Sequence, residues 1–269
     1  MAHHEVIYSQ HAFAIYALAT QAVGAVGVEV PARDFGHDLA AMAKAVTDKT
    51  RVIFIANPNN PTGTWFEEGE FSLFMQQLAL NTSQQVLVVL DEAYVEYFPQ
   101  NFNSLKFLKQ YPNLLISRTM SKAFGLASLR VGFALASPEV TNLLNRVRQP
   151  FNVSSFALAA AVAALKDTDF IEQSRALNQH GMAQLEQGFK ALGLNWIASR
   201  ANFIAVDVQR DGAQVFNALL QKGVIVRPVG GGYGMPQHIR VSIGLPEENA
   251  RFLEALAQVL AEIPATEAA

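Results

Sequence analysis

Lys122 sits in the stretch Ile116-Ser-Arg-Thr-Met-Ser-Lys-Ala-Phe-Gly-Leu-Ala-Ser-Leu-Arg130. An apolar run ends there, small hydroxylated residues follow, and an arginine comes eight positions after the lysine. A lysine among Thr119, Ser121, Ala123 and Phe124 has little reason to be a solvated surface charge. It suits an amine held in a site, where a Schiff base to a carbonyl cofactor is what lysine chemistry does best. An ordinary loop lysine flanked by turn residues is the competing reading of this segment taken alone.

Other segments tip the balance. Ala56-Asn-Pro-Asn-Asn-Pro-Thr-Gly63 follows an all-apolar run, so two prolines stiffen a loop that carries Asn57, Asn59 and Asn60. Such a loop is ordinary turn chemistry, and it is equally suited to aiming an amide at a ring oxygen. Leu90-Asp-Glu-Ala-Tyr94 also ends an apolar run. Asp91 there either caps the next element or holds a cationic ring nitrogen, with Tyr94 able to reach the same ligand. Arg130 opens the run Arg-Val-Gly-Phe-Ala, and an arginine at the start of a buried strand needs an anion such as phosphate. Together these are the parts that pyridoxal phosphate requires: an amine, a carboxylate, phenol and amide donors, and an arginine with hydroxyls. Downstream, Arg227 and Arg240 both interrupt strand patterns. Two neighbouring arginines are costly unless they share an anion or form separate ion pairs with acids.

The elements that must position these residues alternate along the chain. Strands are expected at Glu5–Tyr8, Val26–Val30, Arg51–Ala56, Gln85–Leu90, Leu114–Ser117 and Val131–Ala136. Helices are expected at Ala12–Val23, Asp38–Ala45, Glu67–Leu80 and Ser104–Tyr111. This alternation predicts an α/β fold, a mostly parallel sheet with helices on both faces. Strands apolar at every position predict burial on both faces, and ligands then belong at the strand ends. Beyond Pro150 the texture changes. One long helical stretch over about 154–192 precedes strands at Asn202–Asp207, Val224–Arg227 and Ile239–Ile243, with helices at Gly212–Lys222 and Glu247–Glu262 and a frayed tail from Pro264. The expected division is 1–150 as a large cofactor-binding domain and 151–269 as a smaller C-terminal α/β domain.

Bulk properties narrow the function classes. The 269 residues are 51% hydrophobic and 16% charged, with a net charge of −3 and no basic stripe, so neither nucleic acid nor an anionic membrane is an expected partner. Absence of cysteine excludes thiolate catalysis and disulfides. Apolar runs are too short to span a bilayer, and the first residues lack the pattern of a signal peptide. A soluble, cytoplasmic protein is expected. The six histidines show no paired metal-ligand spacing, so no metal is expected. A nicotinamide enzyme is disfavoured because Gly230-Gly-Gly-Tyr-Gly234 lies between two strands rather than at a strand-to-helix turn.

The motifs Asn57–Gly63, Asp91–Tyr94 and Ser117–Arg130, in this order, resemble those of fold-type I (aspartate-aminotransferase-like) aminotransferases. With Val226-Arg-Pro228 and His238-Ile-Arg-Val-Ser-Ile-Gly244, their wording is similar in particular to the histidinol-phosphate branch of that family. The resemblance covers essentially the whole chain. It implies pyridoxal 5'-phosphate as cofactor, Lys122 as the Schiff-base lysine, Asp91 as the pyridinium partner, and Tyr94 and Asn60 at the ring hydroxyl. Thr119, Ser121 and Arg130 would meet the cofactor phosphate. Phe13 would stack on the pyridine ring, although core packing is the plainer reading of that residue. Arg240 would bind the acidic group of the substrate, joined by Arg227 when that group is a phosphate.

The implied reaction is transamination between L-histidinol phosphate and 2-oxoglutarate in histidine biosynthesis, by a homodimer acting on small molecules. An aromatic-amino-acid aminotransferase, a phosphate-substrate decarboxylase, and a non-catalytic binding protein or impaired fragment on the same scaffold are the alternatives. Against the family pattern, the chain starts at the strand after an N-terminal arm, a first helix and a phosphate-binding turn. A weakened cofactor site and exposed apolar surface are therefore expected.

Overall fold

A computed structural model describes residues 3–81, 86–98 and 102–265. Six β-branched and apolar runs pair into one sheet: β1 (Glu5–Ser9), β2 (Val26–Val30), β3 (Thr50–Ala56), β4 (Leu87–Asp91), β5 (Leu114–Thr119) and β6 (Gly132–Ala136). Their order is β2-β1-β3-β4-β5-β6. All pairs are parallel except β5 with β6. Parallel neighbours need crossover segments, and these are the helices α1 (Ile15–Ala22), α2 (Leu39–Lys44) and α3 (Glu68–Asn81). The expected α-helix near 104–111 is instead a 3-10 helix over Ser104–Lys109, which seats Phe107 in the core. Gln85, expected to open β4, lies outside the described residues.

The core lies on one side of this sheet. Ile53, Ile55, Val88, Leu90, Leu114 and Ile116 are essentially inaccessible and pack against Met42 of α2 and Phe71, Phe74 and Met75 of α3. On the other side Val52, Phe54, Leu87 and Val89 are only half-buried, which corrects the expectation of equal burial on both faces. There α1 supplies the cover, with Tyr16 stacked flat on Phe54 at a centroid distance of 4.7 Å.

The rest of the chain comprises α4 (Pro138–Val147), α5 (Ser155–Ala164), α6 (Thr168–Ala191), β7 (Asn195–Ile197), β8 (Phe203–Asp207), α7 (Gly212–Gln221), β9 (Arg227–Pro228), β10 (His238–Ser242) and α8 (Pro246–Glu262). A second sheet, in the order β7-β8-β10-β9, is antiparallel throughout. Leu185 and Phe189 of α6, Leu219 of α7 and Leu256 of α8 close its core over Ile204 and Ile239. The single long helix expected over 154–192 is two helices. The first ends at Ala164, and Asp167 caps the second by accepting from the Phe170 amide at 3.1 Å.

The segment expected as strand Val224–Arg227 contributes only Arg227 and Pro228, and Ile225 is 80% exposed. Helix α4 and strand β7 were not expected. For α4 the signal is present, since Ser137 caps the Val140 amide and Pro138 occupies the first turn. Apolar side chains do remain exposed along this region, with Val147 at 78%, Phe151 at 99% and Phe156 at 83% accessible. The two sheets meet beside the Asn57–Gly63 loop: the Arg200 amide donates to the Gly63 carbonyl at 2.9 Å, and a Cβ at residue 63 would collide with Ser199.

Candidate active site

Strands β3, β4 and β5 end side by side, and the segments leaving their carboxyl ends face one cavity of about 480 Å³. Parallel α/β sheets characteristically place their ligands beyond these carboxyl ends. Asn60, Asp91, Tyr94, Thr119, Ser121 and Lys122 all line it, and so do Phe13, Arg130, Arg227 and Arg240. The ten residues that the resemblance assigned to this site therefore reach the same cavity.

The loop after β3 is held rigidly. The Asn57 amide nitrogen of the main chain donates to the Asp91 carbonyl at 3.0 Å, and the Asn57 side chain exchanges two hydrogen bonds of 3.1 Å with the Phe66 main chain. Asn59 donates its side-chain nitrogen to the His11 carbonyl and the Thr62 hydroxyl. Both asparagines thus brace the loop, and of the three candidate amides only Asn60 faces the cavity. Its Oδ1 accepts from Nη1 of Arg240 at 2.5 Å. Guanidinium has only donors, so this contact consumes the amide oxygen and leaves the NH2 as a donor for an incoming oxygen.

Asp91 closes β4 with its carboxylate on the cavity side. Burial raises its pKa, opposed by hydrogen bonds from Tyr16, the Ala93 amide and Ser117 and by the charge of Lys122. The Tyr16 hydroxyl donates at 2.7 Å and the Ala93 amide at 3.1 Å. Three donors keep a carboxylate available despite desolvation. The next residue, Glu92, points to the opposite side of the strand. It is fully buried there and bonded to Arg118 at 2.7–2.8 Å, and its main-chain amide extends the ladder to the Ser117 carbonyl. Strand alternation thus assigns one acid to the cavity and its neighbour to the interior.

Lys122 lies in the turn after β5, where the Gly125 amide donates to the Lys122 carbonyl and Gly125 adopts φ +69°. Helix α5 buttresses this turn, with Ala157 and Ala161 packed on Met120 and Val131. The Lys122 Nζ stands 5.4 Å from the centre of the Tyr94 ring. Burial lowers the lysine pKa, and the charges of Arg240 and Arg130 lower it further against the pull of Asp91. Burial pushes the Tyr94 phenol up to about 12, so it stays a proton donor at neutral pH.

Arg130 differs from expectation. It precedes β6 rather than opening a buried strand, is exposed, and takes the left-handed conformation at φ +53° while its Nη1 donates to the Ala127 carbonyl. Phe13 meets Tyr16 edge-on at 5.9 Å and is partly accessible, which core packing alone does not explain. Arg227 and Arg240 are direct partners across β9 and β10, like charges on one face. Among the described residues neither forms a salt bridge, and Arg240 Nε is buried without a partner. Arg240 lies over the Phe203 ring at 4.8 Å. Two opposed guanidinium groups with no acid between them form a site for an anion. Tyr16, Ser117 and Tyr233 also line the cavity, and none of them was assigned a site role from the sequence. Tyr16 is four residues past a helix-start pattern, so its reach to Asp91 is visible only in three dimensions.

A half-buried amine of lowered pKa, a bonded carboxylate, a protonated phenol and clustered arginines at the ends of parallel strands define a site for carbonyl chemistry on anionic molecules. The chain belongs to the class I and II aminotransferase family, whose model matches residues 1–256. It is 62% identical over 257 residues to histidinol-phosphate aminotransferase 2 of Pseudomonas aeruginosa and 61% identical to the protein of the same name from Pseudomonas fluorescens. Each alignment covers 95% of this chain and 68% of the relative. The crystal structure of histidinol-phosphate aminotransferase from Sinorhizobium meliloti in complex with pyridoxal-5'-phosphate superimposes with a TM-score of 0.89 at 28% identity. It matches 97% of this chain and 71% of its own.

Proposed function

We propose that the chain is a pyridoxal-phosphate-dependent histidinol-phosphate aminotransferase, moving an amino group between L-histidinol phosphate and 2-oxoglutarate. The observation that carries the reading is the Arg227–Arg240 pair, without an acidic partner among the described residues, in the same cavity as Lys122. Identity of about 60% to relatives of that name supports it. The cofactor fits the residues present: an amine, an aspartate for a pyridine nitrogen, Tyr94 and the Asn60 NH2 for a ring oxygen, and Thr119, Ser121 and Arg130 for a phosphate. Phe13 would cover the ring face. When bound, pyridoxal phosphate supplies an aldehyde for an amine and a ring that accepts the electron pair left when a Cα–H bond breaks.

Burial and the charges of Arg240 and Arg130 lower the Lys122 pKa, which favours the neutral amine that would react with that aldehyde. Beside a bound cofactor the Lys122 amine would be the group placed to take up and give back the proton of the substrate Cα. Asp91 holds the ring nitrogen protonated. Arg240 and Arg227 orient the substrate by its phosphate, or by the side-chain carboxylate of glutamate, through guanidinium forks. A cytoplasmic homodimer, with residues 1–150 as the cofactor domain and 151–269 as the small domain, completes this reading.

The test is reconstitution with pyridoxal phosphate. The wild-type chain should develop a visible absorption that borohydride abolishes and should lose that band on adding L-histidinol phosphate, whereas Lys122→Ala should do neither. A wild-type chain with no such band would overturn the proposal. Conversion by L-phenylalanine but not by histidinol phosphate would overturn the substrate.

A further inference from the structure

The turn joining β9 to β10 carries Tyr233, and among the described residues its hydroxyl has no hydrogen-bond partner. Its ring is buried against Ile197 and Ala205 of the small sheet and against Val229 and Met235 of the turn itself. Its carbonyl accepts from Nδ1 of His11 at 2.5 Å, which ties the turn to the large sheet two residues before Phe13. The Gly234 amide closes the turn on the Gly230 carbonyl at 3.0 Å, with Gly234 at φ +67°. The tyrosine is thus fixed at both its ring and its main chain, and it lines the cavity that holds Arg227 and Arg240. Its phenol and the Arg240 guanidinium are within electrostatic reach of each other.

We infer that Tyr233 is a substrate ligand, a hydroxyl donor to the phosphate group held between Arg227 and Arg240, and that it favours phosphate over carboxylate. The argument is one of donor counting and rests on the reaction proposed above. A carboxylate has two oxygens in one plane, which two guanidinium forks saturate. A phosphate has three terminal oxygens in a tetrahedral array, and the third calls for a donor outside the plane of the forks. Tyr233, seated on the connection between the two arginine-bearing strands, is a neutral O–H donor with nothing else to bond. A rigid seat matters because an ordered hydroxyl loses little freedom on binding. A hydrogen bond to a charged oxygen is also stronger than one between neutral groups.

The experiment is Tyr233→Phe, which keeps the ring and removes the donor. Inorganic phosphate is titrated calorimetrically into wild type and variant in the presence of pyridoxal phosphate. The ratio of kcat/KM for L-histidinol phosphate to that for unphosphorylated L-histidinol is measured alongside. The variant should bind phosphate about tenfold or more weakly, and the ratio should fall by a similar factor. An unchanged phosphate affinity, or an equal loss for both amines, overturns the assignment. A wild-type chain that binds phosphate through Tyr233 yet does not prefer the phosphorylated amine separates the two claims: the ligand role stands and the proposed substrate falls.

Discussion

At the residue scale, the chemistry depends on what surrounds Lys122 rather than on the lysine alone. Burial and the charges of Arg240 and Arg130 press its amine toward the neutral form. Arg240→Gln removes one positive neighbour, so the protonated form is less disfavoured and the pKa of Lys122 rises. The pH midpoint for development of the visible band on adding pyridoxal phosphate should therefore move upward, and a midpoint unmoved or lowered would contradict this account. Lys122, Asp91, Tyr94 and the arginines were legible in the sequence because each is a charge or phenol within or just beyond an apolar run. Tyr16 was not, because it lies on a helix where an aromatic is commonplace, and its 2.7 Å bond to Asp91 spans 75 positions. The bracing roles of Asn57 and Asn59 were equally hidden, since the three asparagines of that loop have the same composition and differ only in the direction each faces.

At the element scale, the Asn57–Gly63 loop joins the two sheets, and Gly63 is one of the points where they touch. It takes φ +76°, and a side chain there would strike Ser199. Gly63→Ala should cost about 1–2 kcal/mol for the left-handed conformation alone, with overpacking adding about 1–3 kcal/mol. Gly69→Ala is the control, because it lies in α3 with nothing within 4 Å of the added methyl, and it should be neutral or stabilising. Urea midpoints measure both, and equal effects would refute the joint. Strands β1 to β5 were legible because β-branched runs ended at turn residues. The break at Asp167 was masked by helix-forming residues on either side of it. The reduction of Val224–Arg227 to a two-residue strand reflects pairing with β10, which a local pattern does not contain.

At the scale of the whole molecule, Arg175 of α6 reaches across to the main-chain carbonyl of Glu96, in a short 3-10 helix just beyond Tyr94. The Glu96 carboxyl is buried with Oε2 unpartnered, and burial pushes its pKa up to about 7, with Arg118 and Arg175 opposing and Glu92 adding to the rise. The folded value exceeds the unfolded one, so the folded state gains stability from the protonated acid at low pH and loses it as pH rises through about 7. Glu96→Gln should leave stability near pH 4 little changed and raise it at pH 8 by on the order of 1–3 kcal/mol. Thermal unfolding across that range decides the matter, and a variant destabilised equally at both ends would show that Glu96 acts through packing or hydrogen bonding and not through its ionisation.

The neighbours Asp91 and Glu92 carry a consequence for how such a gene can change. They have the same charge and lie side by side, and only the odd-even phase of β4 sends one to the cavity and the other to the interior. Deleting a single codon upstream in that strand would retain both acids and most of the composition. It would nevertheless turn the glutamate toward the ligand and the aspartate into the core. Point substitutions can be tested one at a time by selection, but a shift of phase exchanges every assignment along the strand at once. Length variation among descendants should accordingly be confined to the surface connections, and the strand leading to Asp91 should keep its residue count even where its letters drift.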